Sequence, residues 1–210
     1  MKVFAISMLV ALVAGACGGT SGSPSSPAPE RGGPSLADDA DSPTTAESPS
    51  ATSTTTTVAA SDLPDLGLAA DLEELDGWLQ SDVTTLDELR GKVVVVQFWT
   101  FGCHNCKATL PNLEVLYADH AGDDFEIVGV HSPEFDYEKD SDSISAAAEK
   151  LGVTWPIALD TNRHNFHTWQ GSPAYWPRTY VLDREGHIRF DHIGEGAYDE
   201  LNQTVATLLG

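Results

Sequence analysis

The chain has 210 residues, with 11 Lys+Arg against 32 Asp+Glu and a formal net charge of −21. That balance argues against nucleic acid and against electrostatic attraction to anionic lipid, because both need clustered positive charge. Three cysteines are too few for a disulfide-stapled small scaffold, and the length suits one domain with appendages.

The first segment reads as an address. Lys2 precedes the mostly apolar run Val3 to Ala14. A spanning helix needs about 20 such residues, so the run is too short to serve as a permanent anchor. A short apolar stretch behind a positive charge, closed by small residues, is the pattern of a secretory signal peptide over residues 1–16. Ala14-Gly15-Ala16-Cys17 also resembles a bacterial lipobox, in which Cys17 receives a lipid and becomes the new N-terminus. Ala14 departs from the usual Leu of that motif, while the Gly/Ser-rich run after Cys17 fits it. Ordinary cleavage after Ala16 cuts the same bond. Either route places the mature protein outside the cytoplasm, lipid-anchored or secreted, where disulfide chemistry is allowed.

Residues 17–60 read as a lipobox cysteine and a tether. From Gly18 to Ala60 only Arg31, Leu36 and Val58 fall outside Gly, Ser, Thr, Pro, Ala, Asp and Glu, and no aromatic occurs. Such a composition cannot bury enough apolar surface to offset its conformational entropy, so a disordered spacer is predicted. Residues 61–210 form the predicted folded domain, long enough for one core. It keeps the acidity, with 9 Lys+Arg and 27 Asp+Glu. The acidic residues before Arg90, and the cluster Glu134, Asp136, Glu138, Asp140 and Asp142, read as solvated surface.

Within that domain the pattern alternates. A short helix is predicted over Thr85–Arg90, closed by Gly91. Lys92–Thr100 contains the run Val93-Val94-Val95-Val96, which suits a strand buried on both faces. Cys106–His120 reads as a helix holding Pro111, Phe125–His131 as a second buried strand, and Ser143–Leu151 as a helix stopped by Gly152. Ile157–Leu159 reads as a short strand and Arg163–Trp169 as a helix. Thr179–Leu182 and His187–Ile193 form a hairpin around Asp183-Arg184-Glu185-Gly186, and Tyr198–Leu209 closes the chain as a helix. This order predicts an α/β fold, with parallel pairing in the middle of a mixed sheet and antiparallel edges from the hairpin.

The residues that carry chemistry lie at the end of the Val-rich strand, in Phe98-Trp99-Thr100-Phe101-Gly102-Cys103-His104-Asn105-Cys106-Lys107. A C-x-x-C at a strand-to-helix junction puts its first sulfur at a helix N-terminus, where unpaired N–H groups and the macrodipole favour a thiolate. The thiolate is the attacking species in disulfide exchange. Two intervening residues place the second sulfur one turn on, within reach of a mixed disulfide. Cys103 then reads as the nucleophile and Cys106 as the resolving thiol. A metal site built on the pair and a histidine, as in a copper or zinc chaperone, and a static structural disulfide are the competing readings. Lys107 after Cys106 excludes a haem-attachment motif. His104, when protonated, favours the Cys103 thiolate and so makes the disulfide more oxidising. Trp99 and Asn105 complete the shape of the site.

Phe98-Trp99, Cys103-x-x-Cys106-Lys107 and Pro111 together resemble the thioredoxin superfamily, and Leu89-Arg90-Gly91-Lys92 ahead of the Val run resembles its TlpA-like, extracytoplasmic branch. Val130-His131-Ser132-Pro133-Glu134-Phe135, Tyr175-Trp176-Pro177-Arg178-Thr179 and Gly194-Glu195-Gly196 look like the thioredoxin-like domain of DipZ-type proteins. The resemblance implies a central mixed sheet flanked by helices. It also implies a thiol–disulfide oxidoreductase that needs no bound cofactor. Its partners would be exported thiol or disulfide proteins and a membrane or extracytoplasmic redox partner, with membrane contact through the lipid anchor only. A peroxide-reducing redoxin is the alternative enzyme, weakened by the C-x-x-C. By position, Pro177 matches the family's cis-proline beside the cysteines, and Trp176 the residue that tunes substrate contact. Three departures stand out. Gly102 replaces a common Trp and would open access to Cys103, Gln97 replaces a buried Asp, and Thr109 replaces a Glu seen in some reductants. The proton acceptor for Cys106 is thus left open, with His131 and Glu134 at the strand end as candidates for proton transfer.

Overall fold

The computed structural model describes residues 59–210 apart from Asp123. The signal peptide read in residues 1–16, the lipobox Cys17 and nearly all of the tether lie outside the described residues.

The strand β2 (Val93–Trp99) is buried at every position. Its two-residue period sends Val93, Val95 and Trp99 to one core and Val94, Val96 and Phe98 to the other, which is why the run Val93–Val96 is continuously apolar. Strand β3 (Phe125–His131) lies parallel to it along its full length, from Val93 opposite Phe125 to Trp99 opposite His131. Strand β4 (Ile157–Leu159) continues the parallel pairing on the far side of β3. Strand β5 (Arg178–Leu182) joins the other side of β2 antiparallel, and β6 (Ile188–Ile193) follows it through the predicted turn. Strand β1 (Trp78–Leu79) pairs antiparallel with β4 and completes the six-stranded order β1-β4-β3-β2-β5-β6.

Among the described residues four helices cover the sheet. Leu110, Leu113 and Leu116 of α1 (His104–His120), Ile144 and Ala148 of α2 (Ser141–Lys150) and Leu201 and Val205 of α4 (Tyr198–Leu209) enter the core that holds Val95 and Ile127. Phe166 of α3 (His164–Gln170) packs into the opposite core with Leu72, Leu86 and Leu89 from the segment ahead of β2. This is the predicted mixed sheet flanked by helices, a thioredoxin-like fold.

The departures are local. Helix α1 starts two residues before its predicted beginning, because the Cys103 sulfur caps it by accepting from the Cys106 N–H at 3.1 Å. Helix α2 also starts earlier, capped by the Asp140 carboxylate on the Ser143 N–H at 2.9 Å. The helix predicted over Thr85–Arg90 contracts to a 3-10 turn at Asp87–Leu89. The hairpin does not supply two edges: β5 sits beside the central β2 and only β6 is an edge. The other edge is β1, too short at two residues to show a period.

Candidate active site

Strands β2 and β3 end side by side, with the Ser132 N–H donating to the Trp99 carbonyl at 3.0 Å. The chain leaves β2 at Trp99, turns through Thr100-Phe101-Gly102 and enters α1. The Cys103 N–H donates to the Thr100 carbonyl at 3.2 Å, which holds that turn closed. Cys103 and Cys106 are joined as a disulfide, their Cα atoms 5.3 Å apart. Cys103 is half-buried at the helix N-cap, whereas Cys106 is 0% exposed. The two sulfurs therefore have different access to a partner, as a nucleophile and a resolving thiol require. His104 and Asn105 lie on the exposed first turn of α1, between the cysteines.

The two departures at Gln97 and Thr109 meet each other beneath Cys106. Gln97, buried on β2, donates from Nε2 to Thr109 Oγ1 at 2.8 Å, and the Thr109 hydroxyl donates to the Cys106 carbonyl at 2.7 Å. The ordering of this helix turn is thus done by neutral groups.

Pro177 follows a cis peptide bond from Trp176, as the motif predicts, and a second cis bond joins Ser172 to Pro173. Trp176 is fixed from two sides. Its indole N–H donates to the Ser132 carbonyl at 2.8 Å and its ring stacks on Phe166 with centroids 4.0 Å apart. Trp176 therefore ties the proline segment to the end of β3. Of the other large aromatic residues in the domain, Trp155 is core, Trp169 is half-buried and Tyr175 is exposed.

His131 and Glu134 are not brought together. His131 is 0% exposed, with its ring edge-on to Trp99, stacked on Phe101, and Nε2 lying 3.3 Å from Thr100 Oγ1. Glu134 is exposed. Burial pushes His131 down to about 4, and the nearby Glu138 carboxylate pulls weakly the other way. The folded protein thus holds this imidazole neutral where the unfolded chain, near 6.5, protonates. Stability should be level above pH 6.5 and fall between pH 6.5 and 4, by roughly 3 kcal/mol from this group alone. Urea titrations at pH 7 and pH 4.5 should show the fall reduced in His131→Leu relative to the parent. An equal fall in both proteins would show that His131 does not carry it.

Glu138 corrects the sequence reading. Alone in its acidic cluster it is fully buried rather than solvated, at 0% exposure, and its carboxylate reaches the active-site turn. Oε1 accepts from the Gly102 N–H at 2.9 Å, while Oε2 accepts from the Glu134 and Phe135 N–H groups at 2.7 and 2.9 Å. Gly102 therefore makes room for this carboxylate. A methyl group on it would collide with Glu138 Oε1 and lie 2.6 Å from Tyr137 Oη. Nothing in the spacing of the cluster distinguishes Glu138 from its neighbours; only the pairing of its loop with the C-x-x-C turn does.

A thioredoxin-like sheet with a C-x-x-C pair capping the helix after its central strand defines a dithiol–disulfide redox domain, the class of the thiol–disulfide oxidoreductases. The chain belongs to the AhpC/TSA family, whose model matches residues 62–191. Protein DipZ of Mycobacterium bovis is 36% identical over 71% of this chain. The chain spans only 22% of the length of DipZ. Thiol-disulfide oxidoreductase YkuV of Bacillus subtilis is 28% identical, over 66% of this chain and 93% of that protein. Among solved structures, a thioredoxin-like superfamily protein superposes with a TM-score of 0.61 at 24% identity, covering 68% of this chain and 96% of the other.

Proposed function

We propose that the protein is an extracytoplasmic thiol–disulfide oxidoreductase that exchanges disulfides with exported proteins. The observation that carries the reading is the asymmetry of the pair. A half-buried sulfur caps a helix N-terminus and is bonded to a sulfur with no exposure at all. In the disulfide-donating direction a partner thiolate attacks the Cys103 sulfur. The Cys103–Cys106 bond breaks, Cys106 leaves as a thiolate, and a second partner thiol then displaces Cys103. In the direction that reduces a partner disulfide the same steps run backwards, with the Cys103 thiolate attacking and Cys106 resolving. Cys103, Cys106 and the two partner sulfurs account for every electron, so the exchange needs no further group. His104 lies beside the pair to favour the Cys103 thiolate, and Trp176 with Pro177 forms the neighbouring surface for partner backbone.

The location rests on the signal-peptide pattern of residues 1–16, and the anchor on Cys17. A membrane or extracytoplasmic redox partner would reset the pair after each exchange. Thiol trapping tests the reading in intact cells. With a membrane-impermeant maleimide, Cys103 should label after dithiothreitol treatment without lysis. Labelling only after lysis would overturn the extracytoplasmic location. A pair found oxidised before treatment points to disulfide donation, and one found reduced points to reduction of client proteins. Cys17→Ala should move the protein out of the membrane fraction; a protein equally membrane-bound in both forms would overturn the lipid anchor.

A further inference from the structure

Glu138 is a buried charged group that disulfide exchange, as described above, does not use. Its two oxygens accept three backbone N–H groups from two separate places. One is Gly102, the residue before the nucleophile, and the others are Glu134 and Phe135, in the segment after β3. The carboxylate is thus a bridge, with one oxygen on the redox turn and the other on the opposing loop. Side-chain amides cannot replace it fully. A carboxylate accepts on both oxygens, whereas glutamine presents an NH2 group on one side and must face a donor with a donor. Gly102 is the complementary half of the arrangement, because any side chain there would occupy the place of Oε1.

We propose that Glu138 is a positioning residue for Cys103, which braces the redox turn and sets the balance between the dithiol and the disulfide with its charge. This rests on the exchange reading above. The physical sign follows from the location. A negative charge held on the N–H of Gly102, the residue before Cys103, disfavours a second negative charge on the sulfur. Disfavouring the thiolate destabilises the reduced form, so Glu138 makes the pair more reducing and opposes His104 and the N-terminus of α1. Site reactivity is then tuned by a carboxylate reaching in from the β3–α2 segment, in a domain whose central strand carries the neutral Gln97.

Equilibration with glutathione tests this. The disulfide takes two electrons and two protons from two molecules of glutathione, which leave as one molecule of glutathione disulfide. Glu138→Gln should shift the equilibrium constant toward the dithiol form by roughly tenfold, equivalent to about 30 mV. Gly102→Ala, which displaces the carboxylate, should shift it in the same direction. If Glu138→Gln does not fold, Gly102→Ala combined with Glu138→Ala gives the same reading, because the added methyl group fills space that the lost carboxylate vacates. A folded variant within twofold of the parent, or shifted toward the disulfide, overturns the inference. A parent protein that fails to equilibrate with glutathione overturns the exchange reading instead, so the two failures are distinguishable. A purely structural role would lower the melting temperature without moving the equilibrium constant.

Discussion

Cys103→Ser should abolish reduction of insulin disulfides in the presence of dithiothreitol, lowering the rate at least ~1,000-fold. The reason is chemical rather than structural. Serine has nearly the size of cysteine but its hydroxyl neither ionises near neutral pH nor forms a bond that a thiolate can cleave. The substitution also leaves the helix capped, since a serine oxygen accepts from the Cys106 N–H as well as the sulfur does. Cys106→Ser should behave differently. It leaves Cys103 half-buried and reactive but removes the buried thiol that resolves the intermediate. Mixed disulfides with client proteins should therefore accumulate and survive non-reducing electrophoresis. Retention of more than a tenth of the insulin activity in Cys103→Ser, or trapping through Cys106 instead of Cys103, would reverse the assignment of the two sulfurs.

Asp160→Ala should cost about 4 kcal/mol of stability, read as a shift of the urea midpoint at unchanged slope. Asp160 sits at the end of β4 and is 0% exposed. Its carboxylate accepts from the Ser132 hydroxyl at 2.7 Å, the Asn165 N–H at 3.0 Å, the Asn165 side-chain amide at 3.1 Å and the Phe166 N–H at 2.9 Å. These partners belong to the end of β3 and the first turn of α3. One acidic side chain thus joins three elements, and removing it leaves four donors without their acceptor inside the protein. Asp160→Asn keeps the shape but can accept on only one side, so it should cost about half as much. The effect should reach the redox site. Ser132 holds the Trp176 indole through its carbonyl, and Phe166 stacks on the same ring. Asp160→Ala should accordingly slow insulin reduction in the folded fraction, while an alanine at an exposed carboxylate such as Asp142 should change neither quantity. A stability loss under about 1 kcal/mol would show that water replaces the missing acceptor.

Glu138 and Asp160 share a feature that residue counting hides. The chain is strongly acidic, and most of its carboxylates are solvated as the composition implies. These two are buried as acceptors for backbone N–H groups at the ends of elements, where helices and turns leave donors without partners. Each lies next to a residue of the redox site, Glu138 against Gly102 and Asp160 against Ser132 beneath Trp176.

The division between sequence and tertiary structure follows from the range of the interactions. Local patterns determined the central strands, because Val93 to Val96 and Ile127 to Val130 are runs without a polar side chain and only burial on both faces accommodates that. The turn Asp183-Arg184-Glu185-Gly186, the helix ending at Leu209 and the C-x-x-C at a strand-to-helix junction were legible for the same reason: neighbours in the chain decide them. The cis bond before Pro177 was legible only through its motif. Tertiary structure alone decided the short edge strand Trp78–Leu79, whose two residues form a strand by pairing with β4. It placed β5 next to β2 rather than at an edge. It separated His131 from Glu134, burying one and exposing the other. It also drew Glu138 out of an acidic run and set its carboxylate on the N–H of Gly102, 36 residues away in sequence. No local pattern distinguishes that glutamate from Glu134 or Asp136, because its burial depends on which loop the redox turn faces once the sheet has formed.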